Sequence, residues 1–123
     1  MISPDAIRDF AARNPGVLGT PMLWSFFFVD RIAARLLSIR SATEALGYRW
    51  VRIFEATNAD EEPILFAHIE ISATHTGRSL AAACEVLGRL ARDSGIEDLD
   101  GFDVGALDNS PLQATWLPSD GRS

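Results

Sequence analysis

Lysine is absent from this chain of 123 residues, and cysteine occurs once, as Cys84. A single thiol excludes any intrachain disulfide and fits a reducing compartment. Every basic charge is therefore an arginine, and His68 and His75 are the sole imidazoles. The apolar run Phe26 to Val29 is far below the ~20 residues a membrane span needs. The opening Met-Ile-Ser-Pro-Asp-Ala has neither a basic start nor a long apolar stretch, so no signal peptide and no membrane are expected. A cytoplasmic location is the resulting expectation. Also missing are a glycine-rich phosphate loop, a His-Glu-x-x-His pair and a cysteine pair, and with them the usual marks of nucleotide and zinc chemistry. No cofactor and no metal are expected.

What is present describes an ordinary globular domain. The chain is 47% hydrophobic and 23% charged, which excludes wholesale disorder. Its length suits one domain able to bury roughly two-thirds of its unfolded surface. The net charge of −6 is unevenly spread. Residues 1–54 hold seven arginines against four acids, whereas residues 55–123 hold four against thirteen. One reading is arginine-favouring codon bias plus a surface kept soluble by negative charge. The other is an acidic face that repels nucleic acid and attracts a basic partner.

Local signals divide the chain into an N-terminal helix and connector (1–21), a core (22–107) and a loose tail (108–123). Ser3-Pro4 marks a helix start, with a hydroxyl cap followed by proline where no N–H is needed. Asn14-Pro15-Gly16 stops that helix. Met22 to Val29 reads as a strand. Asp30 can cap a second helix, on which Ile32, Leu36, Ile39 and Leu46 keep helical spacing up to Gly47. Tyr48 to Ala56 alternates, which puts Tyr48, Trp50, Arg52 and Phe54 on one side and Val51 and Ile53 on the other. A polar turn over 57–63 leads to a strand over Ile64 to Ser72, and the two strands form a hairpin. Thr74 or Thr76 opens a third helix, with Leu80, Ala83, Cys84, Leu87 and Ala91 on its buried stripe. A last short strand is expected over Asp100 to Leu107. After the first helix the order is β-α-β-β-α-β, the split, ferredoxin-like plan of an α+β fold with two helices on one face of the sheet.

Candidate chemistry is sparse. His68 alternates with Glu70 and could form a general-base pair at a sheet surface; the plainer reading is a solvated polar strand face. Cys84 lies on an apolar stripe, as an inert core thiol would. Glu97, Asp98, Asp100 and Asp103 lack the order of a calcium loop and read as a solvated acidic turn around Gly101. The sheet face away from the helices should carry Trp50, Phe54 and Phe66 with Arg52, His68 and Glu70. That face could stack bases, but it lacks a basic aromatic signature and the net charge opposes phosphate binding. The chain's own ends, a second copy in a homodimer or a partner are the other candidate covers.

Three local patterns carry a family resemblance: Ala45-Leu46-Gly47-Tyr48 leading into a strand, Leu87-Gly88-Arg89-Leu90-Ala91, and the acidic closing run Glu97-Asp98-Leu99-Asp100-Gly101-Phe102-Asp103. With the order of elements over 22–107, they make the chain resemble the RraB family, regulators of ribonuclease E activity. Phe102 stands where that family usually carries tryptophan, and the long acidic tail of its enterobacterial members is absent. The resemblance implies a ferredoxin-like, non-catalytic domain that binds a ribonuclease E-type nuclease through protein contacts rather than nucleic acid. Glu97, Asp98, Asp100, Gly101, Phe102 and Asp103 are the expected partner-binding residues, meeting a basic segment. The alternatives are a ligand-sensing ferredoxin-like module and a small enzyme using His68 and Glu70.

Overall fold

A computed structural model describes residues 2–56 and 63–107 and the backbone of a short strand at Ala114–Thr115. The architecture is α+β, an antiparallel sheet with helices against it. Helix α1 (Pro4–Arg13) begins as its sequence directs: the Ser3 hydroxyl accepts from the Ala6 N–H at 3.1 Å, and Pro4 occupies the first turn. Asn14 ends it by donating both its backbone N–H and its side-chain amide to the Phe10 carbonyl.

Strand β1 (Pro21–Asp30) is central, paired on both edges, and this explains its continuous apolar run. Trp24, Phe26 and Phe28 point to one face and Phe27 to the other, and all four are fully buried.

The single helix expected before Gly47 is two short ones, α2 (Ala33–Leu37) and α3 (Arg40–Ala45). At the break the Ser38 hydroxyl donates to the Arg35 carbonyl at 2.6 Å, competing with the helical ladder. Leu36 and Ile39 are buried as expected, but the break rotates the stripe, leaving Ile32 and Leu46 exposed and burying Thr43. Gly47, at φ +98°, closes α3: its N–H donates to Glu44 and that of Tyr48 to Thr43, a Schellman stop.

Strands β2 (Arg49–Ala56) and β3 (Ile64–Thr74) pair antiparallel. Helix α4 (Gly77–Asp93) starts in a reciprocal Thr76–Ser79 capping box and buries Leu80, Cys84, Leu87, Gly88 and Ala91. Gly95, at φ +75°, makes the turn into β4 (Asp98–Gly105). With β5 (Ala114–Thr115) the sheet order is β2-β3-β1-β4-β5.

One core joins Phe10 of α1, Leu36 and Ile39, and Leu80 and Leu87 of α4 to the sheet residues Trp24, Phe26, Phe28, Ile69, Leu99, Phe102 and Val104. Ile53 packs against it half-buried. The N-terminal helix lies on this same side, through Phe10 against Trp24 and Phe102, so α1 is not the cover of the opposite face. Among the described residues no helix is long and apolar enough to cross a membrane.

Candidate functional site

The face of the sheet away from the helices is built in transverse rows by strand register. Arg49, Glu70, Ser25 and Asp103 form one row across β2, β3, β1 and β4. Arg52, His68, Phe27 and Gly101 form the next, and Phe54, Phe66, Val29 and Asp98 a third. Trp50 does not belong here. A bulge in β2 between Trp50 and Arg52 puts Trp50 opposite Ile69, on the helix side, where it packs on the core and the Arg40 guanidinium lies 5.9 Å from its ring centroid. Val51 is the extra residue. The strict alternation expected for β2 fails because one residue on β2 has no counterpart on β3.

The aromatic groups of this face are occupied with each other. Phe54 and Phe66 stack at 5.4 Å, Phe27 stacks on His68 at 4.7 Å, and Phe27 meets Phe54 edge-on at 6.1 Å. The Arg52 guanidinium sits 4.7 Å from the Phe54 ring centroid. Rings already stacked on one another present few free π-faces to bases, which weakens the base-stacking reading.

The polar groups are similarly committed. Arg49 donates twice to Glu70 Oε2, at 2.6 and 3.2 Å. His68 Nε2 lies 4.0 Å from Glu70 Oε1, an ion-pair separation rather than a hydrogen bond. A base oriented by a carboxylate works through a made hydrogen bond, and at this separation the His68–Glu70 contact is an ion-pair one.

The acidic closing run divides among several environments. Glu97 is exposed at the end of the α4–β4 turn, and Asp98 and Asp100 are half-buried beside it. The Asp98 Oδ1 accepts from the Leu99 N–H at 2.9 Å. Burial, and then the charge of Asp98, hold the Asp100 carboxyl above its ordinary range. Gly101 is not the turn; it lies buried within β4, directly opposite Phe27. Phe102 points into the helix-side core, 4.9 Å from Phe10 in an edge-on contact. Asp103 is 1% exposed, on the opposite face beside Ser25. The six residues expected to form one contact surface therefore do not share one. Strand alternation, shifted at Asp100 by a second bulge, sends Phe102 and Asp103 to opposite sides.

Two groups gain importance from the structure. Asp30, expected only as a cap, is completely buried. Its Oδ1 accepts from Ile32 N–H at 2.9 Å and its Oδ2 from Glu97 N–H at 3.1 Å, with Arg35 at 3.8 Å. It ties the end of β1 to the start of β4. The signal in sequence was an acid closing an apolar strand, but its second partner is 67 residues away. His75, just before α4, packs edge-on against Trp24 at 5.1 Å, with Nδ1 2.9 Å from Ser79 Oγ. Burial lowers its pKa. Cys84 is buried too, and its thiol is pushed up to about 12 by burial, leaving it protonated and inert.

Among the described residues no group of three or more metal-ligating side chains converges. No family model, curated protein or solved structure compared with the chain matches it.

Proposed function

We propose that the chain is a regulatory protein-binding domain without chemistry of its own, acting as ribonuclease E inhibitors do, and that it takes a basic segment of a partner at the α4–β4 corner. The observation that carries this reading is the placement of Asp93, Glu97, Asp98 and Asp100 within one turn between α4 and β4, the first two exposed and the last two half-buried. Burial, and then Asp98, also raise the Asp100 carboxyl above its ordinary range. An arriving guanidinium or ammonium relieves that strain, because an opposite charge favours the ionised form. Exposed Glu97, and Asp93 at the end of α4, extend the same negative field.

The antiparallel order β2-β3-β1-β4, with α2–α3 and α4 as the two crossovers, supports the ferredoxin-like plan within this proposal. A cytoplasmic location belongs to it as well, resting on the single buried thiol.

The test is a pull-down from native lysate at low and moderate salt, followed by binding kinetics on the recovered partner. The variant is Glu97→Gln, Asp98→Asn and Asp100→Asn together, with buried Asp103 left intact. We expect association to slow by about tenfold and to lose most of its salt dependence. An unchanged rate and an unchanged salt slope would reduce the corner to a solubilising surface.

A further inference from the structure

We propose that the cleft between α1 and α4 binds a small aliphatic carboxylate, its chain on the apolar floor and its head on Arg78. The cleft has a volume of about 310 Å³ and is lined by Pro4, Ile7, Arg8, Ala11, Gly77, Arg78 and Ala81. Its origin is local. Where the two helices meet, Ala11, Gly77 and Ala81 are too small to fill the space, and a Cβ built on Gly77 would meet nothing within 4 Å. Ile7 closes the bottom and is 4% exposed. The volume lies at the small end of the ~300–1,000 Å³ typical of ligand pockets, so a compact ligand is called for.

Charge selects the head group. The chain carries −6 overall, yet among the described residues no carboxylate lines this cleft and two guanidinium groups do. Arg8 is held by Asp5 on the same helix. Arg78 is exposed and makes no ion pair among the described residues, so its planar donor fork is available. A guanidinium matches a carboxylate in a two-point contact, and the apolar lining gives a short alkyl chain a place out of water. An inorganic anion would use only the first feature and a neutral alcohol only the second.

The experiment titrates the full ¹⁵N-labelled chain with sodium octanoate below its micelle concentration, with 1-octanol and sodium acetate as single-feature controls. We expect saturable shifts at the amides of Ile7, Ala11, Gly77 and Ala81, with octanoate binding at least about tenfold tighter than either control. Arg78→Gln should weaken octanoate by about tenfold and leave octanol unchanged. Ala81→Leu should block both by filling the floor. Arg78 is a surface residue, so its variant decides the matter even where Ala81→Leu folds poorly. The proposal is overturned by equal affinity for octanoate and octanol, by an Arg78→Gln variant that binds octanoate normally, by absence of saturation, or by shifts centred on Phe54 and Phe66.

Discussion

At the scale of single residues, the buried ionisable groups set the strongest expectations. Asp30 satisfies two backbone N–H groups, one two residues on and one 67 residues away, with no exposure of its own. Asp30→Ala removes the acceptor of both donors and the buried partner of Arg35, and should cost about 1–3 kcal/mol, measured by urea unfolding. His75 gives a pH dependence. Burial lowers its pKa in the folded state, so the unfolded chain binds the proton more readily. Its contribution to stability is thus present above the ordinary histidine value, about 6.5, and is lost as pH falls from there through the folded value. Unfolding free energies measured from pH 8 down to pH 5 should fall along this window in the parent. They should fall less steeply in His75→Gln. An identical slope in both proteins would mean that His75 stays solvated in solution.

The elements show how local rules meet their limits. Gly47 and Gly95 end α3 and α4 with positive φ, and each is followed by a six-to-one hydrogen bond. A Cβ on Gly47 would meet only Ile71 Cδ1, at an ordinary 3.7 Å, so conformation rather than space is the constraint. Gly47→Ala should therefore cost about 1–2 kcal/mol, read from the denaturation midpoint with an unchanged m-value. Helix α4 offers a second check. Leu87 is fully buried in the core, and Leu87→Ala should cost about 2–5 kcal/mol, whereas the exposed Val86 one position earlier should tolerate the same change. A comparable loss at Val86 would show that the helix turns a different face to the sheet.

For the molecule as a whole, charge and stability pull in different directions at the α4–β4 corner. Asp100 is held above its ordinary range by burial and by Asp98, so the folded protein retains that proton more tightly than the unfolded chain. The associated stability is fully present below the ordinary aspartate value and is lost as pH rises through the folded value. Asp100→Asn should accordingly raise the melting temperature at pH 7 relative to the parent, with the gain shrinking towards pH 4. The same substitution should weaken a basic partner. A gain in stability coupled to a loss of binding is the mark of a site kept under strain for its ligand. An Asp100→Asn protein that gains no stability at pH 7 would remove the electrostatic basis of the proposed interaction.

What the sequence by itself determined is whatever rests on neighbours a few residues apart. Ser3-Pro4 started α1, Thr76 started α4, Gly47 stopped α3, and the 3.6-residue stripe of α4 gave Leu80, Cys84, Leu87 and Ala91 as buried. The α+β class followed from the same periodicities. Tertiary structure alone decided the direction of side chains beyond an irregularity. The Trp50–Arg52 bulge is a mismatch between two strands, invisible in either one, and it moved Trp50 to the helix side while leaving Arg52 and Phe54 on the other. The bulge at Asp100 likewise set Phe102 in the core and Asp103 beneath the opposite face, separating an acidic run that is continuous in sequence. A period of two loses its phase with each inserted residue, and the insertion is settled by pairing with residues far along the chain.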